Sequence, residues 1–166
     1  MIELGYRPLE HQDFHALHPI ASDWHVVRQM GSWPYPSDPD FTRSRCQPYE
    51  GVGFVWGIFT DIGLIGWVGV TGGTLGFMLD KRFWDQGVGT RIVADAVKEG
   101  FGAFDFEQIT ASTWFDNPGS LRVLEKNGFV ETHRVVEHAQ ARDVPTPAIY
   151  HSLTRDAYNA LREAAE

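Results

Sequence analysis

The sequence predicts an α+β protein with a mostly antiparallel sheet of about seven strands flanked by helices. Two observations carry this prediction. Residues 51–79 are rich in β-branched and aromatic side chains and are broken by glycine-containing turns, which is typical of an antiparallel meander. Residues 87–101 then change to helical spacing, with apolar side chains on one face and charged ones on the other. With 166 residues, 43% of them hydrophobic, the chain fits one globular domain spanning residues 1–166.

The first third of the chain predicts one strand and three helical segments. Pro34 and Pro36 forbid helix between the second and third of these segments, because proline fixes φ and constrains the residue before it. Residues 31–36 should therefore form an extended loop. The predicted elements are a strand over residues 2–8 and helices over residues 13–20, 22–30 and 38–46.

The rest of the chain alternates strands with helices. Asn117 and Pro118 mark a helix start, because an asparagine side chain can cap the first turn and proline suits the first helical position. Gly128 marks the end of that helix in a left-handed turn. The predicted strands cover residues 52–59, 64–70, 74–79, 108–115, 129–137 and 147–153, the predicted helices cover residues 87–101, 117–127 and 154–164, and a polar loop covers residues 139–146.

The charge of the chain bears on its partners. The formal net charge of −8 argues against a nucleic-acid partner, because nonspecific affinity for phosphates rests on clustered Lys and Arg. This charge suits a cationic substrate, but it is also an ordinary solubility device. No basic segment followed by an apolar run opens the chain, and no stretch approaches the roughly 18 apolar residues of a membrane span. We therefore expect a cytoplasmic protein with no membrane partner.

Cysteine and histidine usage predicts no metal site. Cys46 is the sole cysteine, so neither an internal disulfide nor a thiolate metal cage can form. His11, His15 and His18 recur at spacings compatible with one helical face. Scattered histidines on an amphipathic helix are far commoner than metal ligands, so we expect no bound metal.

A glycine-containing turn at residues 84–90 precedes the long amphipathic helix. Such a turn is a ready anion site, because the first N–H groups of a helix lack helical partners and the helix dipole is positive there. Gly87 and Gly89 remove side chains where phosphates would approach, although from these glycines alone a purely structural bend is an equal alternative. Two rival motifs fail: Ile92 stands where a dinucleotide fingerprint needs a small residue, and no Gly-Lys pair exists for a P-loop.

Two longer segments carry a family resemblance. The first combines residues 76–80 with residues 83–90, and the second is residues 117–129. In this order and at this separation they resemble the two signature segments of the GCN5-related N-acetyltransferase (GNAT) superfamily. More narrowly, they are similar to the branch of the ribosomal-protein alanine acetyltransferases (RimJ/RimL-like). Residues 6–9 and 33–36 match the usual opening of that branch, so the resemblance spans nearly the whole chain.

The resemblance implies the GNAT fold with a splayed sheet, and acetyl-CoA as the co-substrate. In that family the pantetheine arm pairs with the backbone of a strand that diverges from its neighbour, while main-chain N–H groups hold the pyrophosphate. The implied cofactor-binding residues are Phe77, Met78 and Leu79 for the pantetheine arm, Gln86, Gly87, Val88, Gly89 and Thr90 for the pyrophosphate, and Asn117 for a pantetheine amide. A helix cap is the alternative role for Asn117, and the two roles are compatible.

The resemblance also implies residues for catalysis and for the acceptor. Ser120 shares a helix face with Asn117 and matches a motif hydroxyl that can donate a proton to the departing thiolate. An ordinary helix-surface or capping serine is the alternative. Trp33 and Tyr35 lie in the proline-braced loop and could wall an acceptor pocket or simply pack against the core. A covalent route through Cys46 is disfavoured, because no evident base lies beside it.

Three positions depart from the family pattern. Asp85 stands where the branch usually has glycine; it tolerates a left-handed backbone, and its side chain should point away from the phosphates. Arg91 replaces a common glutamate, and its cation could partly offset Asp85. Thr74 stands where many relatives carry a glutamate that can act as a base, so the general base is unassigned. A site without a strong base should prefer an α-amine, whose deprotonation at pH 7 costs about 1 kcal/mol, to a lysine amine at about 5 kcal/mol.

These features predict the transfer of an acetyl group from acetyl-CoA to a primary amine by direct attack. The acceptor would be a protein N-terminal α-amine or a small-molecule amine. The alternative is a non-catalytic acyl-CoA binding or sensing module of the same fold, which kept the turn and lost the base. A second copy of the chain could complete the acceptor loops, so a homodimer is left open.

Overall fold

The computed structural model describes the whole chain, Met1–Glu166, as a sheet with helices on both faces. The strands are β1 (Gly5–Pro8), β2 (Gly53–Thr60), β3 (Gly63–Thr71), β4 (Thr74–Leu79), β5 (Gln108–Trp114), β6 (Val130–Ala139) and β7 (Val144–Thr154). The helices are α1 (Phe14–Ser22), α2 (Trp24–Val27), α3 (Pro39–Arg45), α4 (Val88–Ala103), α5 (Pro118–Lys126) and α6 (Arg155–Ala165). None of these helices has both the length and the apolar composition needed to cross a bilayer.

The sheet divides between its fourth and fifth strands. The strand order is β1-β2-β3-β4-β5-β7-β6, and every neighbouring pair is antiparallel except β4 and β5, which run parallel. Thr74 and Thr110 are the single paired position between these two strands. Beyond that pair the strands diverge, so the backbone of residues 77–79 has no strand partner on its β5 side. The mostly antiparallel, splayed sheet of seven strands predicted from the sequence is confirmed.

Two apolar clusters fix the helices on the sheet. The predicted apolar face of α4 is buried against one sheet face, and its residues are Val88, Ile92, Val93, Ala96, Val97 and Phe101. The second cluster lies on the other face, where Leu17 and Val27 from α1 and α2 pack with Met78 of β4. Burying each such side chain contributes about 1.5–3 kcal/mol, so β4 is held firmly between the two layers.

A close approach of two strands sets the position of β4. A Cβ atom at Gly66 of β3 would lie 2.0 Å from the carbonyl oxygen of Met78. Any larger residue would push these strands apart, since that distance is far below a van der Waals contact. Glycine at this point therefore lets β4 sit close to β3 where the splay from β5 opens.

The structure departs from the sequence-based elements in two places. The helix predicted over residues 22–30 is only the single turn α2, because the Asp23 carboxylate accepts a hydrogen bond from the N–H of His25 and starts a new helix there. The predicted polar loop over residues 139–146 is wrong. It is a short turn in which Asp143 adopts a left-handed φ of 55° and its N–H donates to the carbonyl oxygen of Ala139, so β6 and β7 form a tight hairpin.

Candidate active site

The N-terminus of α4 lacks a side-chain cap. Its N-cap residue is Gly87, which has a left-handed φ of 77° and no side chain to accept the first N–H groups. By contrast, α3, α5 and α6 begin with caps from Asp38, Asn117 and Thr154. The N–H groups of residues 88–90 have no partner within the helix, because a helix leaves its first donors free. This end of α4 therefore presents free donors together with the positive end of the helix dipole.

A cleft of about 550 Å³ opens in front of these donors, between β4, α4 and α5. It brings together most of the predicted site residues from three separate segments of the chain. The predicted residues that line it are Phe77, Met78, Leu79, Gly87, Gly89, Thr90, Asn117 and Ser120. Trp84 also lines this cleft, and its indole N–H donates to the carbonyl oxygen of Leu79 at 2.9 Å, which joins the glycine turn to the end of β4.

Four predicted residues lie elsewhere. Gln86 is exposed, and its side-chain amide donates to the carbonyl oxygen of Arg82 at 2.7 Å. The Val88 side chain is in the core, so only its backbone N–H can serve the turn. Trp33 lines a second cavity, whereas Tyr35 packs on Trp24 with ring centroids 4.8 Å apart and lies outside both.

Asn117 and Ser120 are joined by two hydrogen bonds at the start of α5. The Ser120 N–H donates to Asn117 Oδ1 at 3.2 Å, which is the predicted helix cap. Asn117 Nδ2 in turn donates to Ser120 Oγ at 3.0 Å. Each group keeps unused capacity: the serine hydroxyl still has its proton to donate, and the asparagine amide has one more N–H and one more lone pair. Both side chains can therefore serve a ligand in the cleft.

The charges around the glycine turn differ from the sequence-based interpretation at one residue. Asp85 has the expected left-handed backbone, with φ of 56°, and its side chain is 88% exposed. Arg91 does not offset it, because its guanidinium donates to the carbonyl oxygen of Ile2 on the N-terminal segment. Arg122 of α5 is the cation beside Asp85, with a nitrogen 4.0 Å from the carboxylate. The prediction for Arg91 is therefore wrong, since its helix position directs the side chain away from the turn.

A second cavity, of about 410 Å³, follows directly along β4. Thr74, Leu75 and Gly76 line it, and the next three residues of the strand line the first cleft. We call it the aromatic cavity, because Trp33, Trp67 and Tyr49 contribute to its wall. It lies at the closed end of the splay, where the Thr74 and Thr110 hydroxyl oxygens are 3.4 Å apart.

An arginine clamp that sequence reasoning missed joins the far wall of the cleft to β5. Arg142 makes a two-pronged contact with the Asp116 carboxylate at 2.8 and 2.9 Å. It also donates to the carbonyl oxygen of Arg28 at 3.0 Å and to Gln29 Oε1 at 2.9 Å, and Gln29 lines the cleft. The hydrogen bonds from Arg142 hold the pKa of Asp116 below its usual range. No spacing in the sequence links these positions, because they meet only through the turn between β6 and β7.

Cys46 is buried and lies in the cluster beneath α1 and α3. Burial, with a smaller contribution from Asp13, raises the pKa of its thiol to about 11. The thiol is therefore protonated at neutral pH, and a nucleophilic role would need the thiolate.

Residues 3–130 match the family model described as "Acetyltransferase (GNAT) domain". Several solved structures are similar over almost their whole length. A spermidine N-acetyltransferase from Vibrio cholerae, solved in complex with CoA and spermine, superposes with a TM-score of 0.78 at 15% identity, covering 94% of this chain and 98% of that one.

Two further solved structures show the same likeness. A ribosomal-protein-S5-alanine acetyltransferase from Vibrio fischeri gives a TM-score of 0.73 at 17% identity, covering 95% of this chain and 96% of that one. A GNAT-family acetyltransferase from Bacillus anthracis gives 0.74 at 18% identity, covering 94% and 98%. At these identities the likeness shows a shared fold.

Proposed function

This chain belongs to the GNAT family of acetyltransferases, and from that premise we propose that it transfers acetyl from acetyl-CoA to a primary amine by direct attack. The observation that carries the proposal is the start of α4, which has no side-chain cap and opens onto the cleft of about 550 Å³. We take residues 1–166 as one acetyltransferase domain.

The residues of the cleft fit the parts of a CoA molecule. The N–H groups of residues 88–90 suit a pyrophosphate, because a helix N-terminus binds anions. Arg122 and Lys126 add positive charge to the same wall. The backbone of residues 77–79, unpaired towards β5, can hydrogen-bond an extended pantetheine arm as an added strand would. Bound acetyl-CoA would supply the thioester that the amine attacks.

Ser120 is our proposed proton donor to the departing thiolate. Its oxygen accepts from Asn117 Nδ2, so its own proton is free to point into the cleft. Asn117 would hold a pantetheine amide with its second N–H or second lone pair, while keeping its cap on α5. The two residues would therefore act as a pair, one orienting the arm and the other releasing the thiol.

The acceptor is proposed to attack the thioester as a neutral amine, after losing its proton. Thr74 itself supplies no carboxylate, and the Cys46 thiol is buried and protonated. An α-amine is then the favoured acceptor, because its deprotonation at pH 7 costs about 1 kcal/mol and that of a lysine amine about 5 kcal/mol. A protein N-terminus, as in the RimJ/RimL-like branch, and a small amine with a similarly low pKa both satisfy this condition. A cytoplasmic location is part of the same proposal.

The missing carboxylate at Thr74 also favours a second candidate, a non-catalytic module that binds or senses acyl-CoA. Such a module would keep the free N–H donors of α4 and the hydrogen-bonded pair of Asn117 and Ser120, but it would catalyse no acetyl transfer. The two candidates share the cofactor cleft and differ only in the chemistry at its acceptor end.

Two measurements test the proposal. Calorimetric titration with CoA tests the cleft, and release of free CoA thiol from acetyl-CoA tests transfer to a panel of amines. The panel contains peptides with a free N-terminus, N-blocked peptides with a lysine, free amino acids and spermidine. We expect CoA to bind and thiol release to depend on a free α-amine. Failure to bind CoA would refute the cofactor site, and tight binding without any amine-dependent release would favour the sensing module.

A further inference from the structure

The aromatic cavity meets the cofactor cleft along β4. Residues 74–76 line the cavity and residues 77–79 line the cleft. A pantetheine arm that leaves the start of α4 and follows residues 79 to 77 would carry its acyl end towards Gly76, because each strand residue advances about 3.3 Å. The cavity thus lies where an amine must stand to attack, at the end of the splay that Thr74 and Thr110 close.

Aromatic side chains form a flat part of the cavity wall, beside polar residues. Trp33 and Trp67 stack at 23° with ring centroids 6.3 Å apart, and Tyr49 comes from the segment after α3. Gly76 adds no side chain, and a Cβ atom there would lie 3.2 Å from the edge of the Trp67 ring. A volume of about 410 Å³ is enough for one small ring system, since pockets for small ligands begin at about 300 Å³.

The charges of the cavity suit one positive charge and no more. Glu50 and Arg45 are its only charged lining residues, and they carry opposite signs. Arg45 lies over the Phe41 ring, with its guanidinium carbon 4.8 Å from the ring centroid, and Glu50 takes part in no ion pair. An acceptor with several ammonium groups would need several carboxylates to replace its lost hydration.

We propose that the aromatic cavity binds the acceptor, and that this acceptor is a monoamine whose amino group stands next to an aromatic or large apolar group. The inference rests on the proposed acetyl transfer and adds the substrate class to it. The same chemistry belongs to an aryl-alkylamine and to a peptide with an aromatic N-terminal side chain. In both, the ring would lie between Tyr49, Trp33 and Trp67 while the amine faces β4.

The test compares acceptors by kcat/KM, measured from free CoA thiol at saturating acetyl-CoA. The acceptors are phenethylamine, ethylamine, a phenylalanyl dipeptide amide, a glycyl dipeptide amide and spermidine. We expect phenethylamine to exceed ethylamine, and the phenylalanyl peptide to exceed the glycyl peptide, each by at least about 10-fold. The ratio of kcat/KM for the phenylalanyl peptide to kcat/KM for phenethylamine shows whether the acceptor is a peptide N-terminus or an arylalkylamine.

Two variants test whether the cavity causes this preference. Gly76→Val fills the space beside Trp67, and Tyr49→Ala removes an exposed wall without touching the buried core. Each variant should bring the ratio of kcat/KM for phenethylamine to kcat/KM for ethylamine towards one, because the KM for phenethylamine rises. The affinity for CoA should stay unchanged. Ile62→Ala is the matched control, because Ile62 is an exposed apolar residue outside both cavities. Thermal unfolding of each variant checks that it folds.

The outcomes separate this inference from the proposed function. A preference for spermidine, or equal kcat/KM for phenethylamine and ethylamine, would overturn the inference and leave acetyl transfer intact. Variants that keep the wild-type ratio of these two kcat/KM values would do the same. If no amine is acetylated, the proposed function fails, and the cavity is then judged by calorimetric titration of phenethylamine into the CoA-saturated protein. Binding that Gly76→Val abolishes would support the inference, and absence of binding would overturn it.

Discussion

The two halves of the site are built in different ways. The proposed cofactor half uses the backbone of β4 and the free donors at the start of α4, so it depends on conformation more than on side-chain identity. The proposed acceptor half uses side chains from distant segments, namely Trp33, Tyr49 and Trp67. A backbone site of this kind tolerates sequence change at most positions, whereas a side-chain site changes its ligand with each substitution. The contrast explains how one cofactor cleft can serve different acceptors.

The largest expected effect comes from placing a charge in the backbone half. Gly87→Asp introduces a residue that also tolerates the left-handed φ of this position, but it brings a carboxylate to the proposed phosphate site. We expect the affinity for CoA to fall by about 100-fold, because juxtaposed like charges cost several kcal/mol. Calorimetric titration at low and high salt measures this.

Gly87→Asn is the matched control, since it has the same shape and no charge. It should lose much less affinity than the aspartate variant, and salt should narrow the gap between the two. Equal losses in both variants at all salt concentrations would mean that shape alone matters and that no anion binds there.

The next effect concerns the arginine clamp beside the cofactor cleft. Arg142→Ala should lower the free energy of unfolding by about 2 kcal/mol, because it removes hydrogen bonds to a charged, partly buried carboxylate. Arg142→Lys should recover part of this loss, since it restores the charge without the planar fork. We also expect Arg142→Ala to raise the KM for acetyl-CoA more than the acceptor KM, because Gln29, which lines the cofactor cleft, loses its support. Equal changes in both KM values would contradict a role at the cofactor cleft.

Acid unfolding gives an independent measure of the same clamp. The lowered pKa of Asp116 means that its ionised form stabilises the folded state above about pH 4, the ordinary value, and that this stabilisation is lost as the pH falls through the lowered pKa. The free energy of unfolding of the wild type, measured with urea, should therefore decrease below about pH 4. In Arg142→Ala this free energy should decrease less over the same pH range. The same dependence on pH in both proteins would contradict the assignment.

Ser120 tests where the two halves meet. Ser120→Ala should lower kcat by about 10-fold with little change in CoA affinity, because the hydroxyl is needed only as the thiolate leaves. Ser120→Thr keeps the hydroxyl and should retain most of the turnover. Single-turnover measurement of thiol release distinguishes this effect from slow product release. Full activity in the alanine variant would remove Ser120 from the proposed mechanism.

The same contrast decides what the sequence could predict. The elements of the proposed cofactor half could be predicted because each is contiguous: a strand, a glycine turn and a capped helix each leave a local pattern, as at Gly87 and Asn117. The clamp of Arg28, Asp116 and Arg142 could not, because three charged residues far apart in the chain meet only through a tertiary turn. The sequence predicts a loop in place of that turn, because Asp143 takes the left-handed conformation for which glycine is the usual signal.

The smallest expected effect is that of Glu50→Gln on the acceptor KM. It measures how much charge contributes to acceptor binding in the aromatic cavity. Glu50 is exposed at the rim of the cavity, where water and salt screen its attraction for an ammonium group. Glu50→Gln should raise the KM of an aromatic monoamine by about 3-fold at most, as for other exposed ion pairs. Initial rates at several salt concentrations measure this. A loss comparable to that of Gly87→Asp for CoA would show that the cavity selects its ligand by charge, and its aromatic side chains would then be secondary.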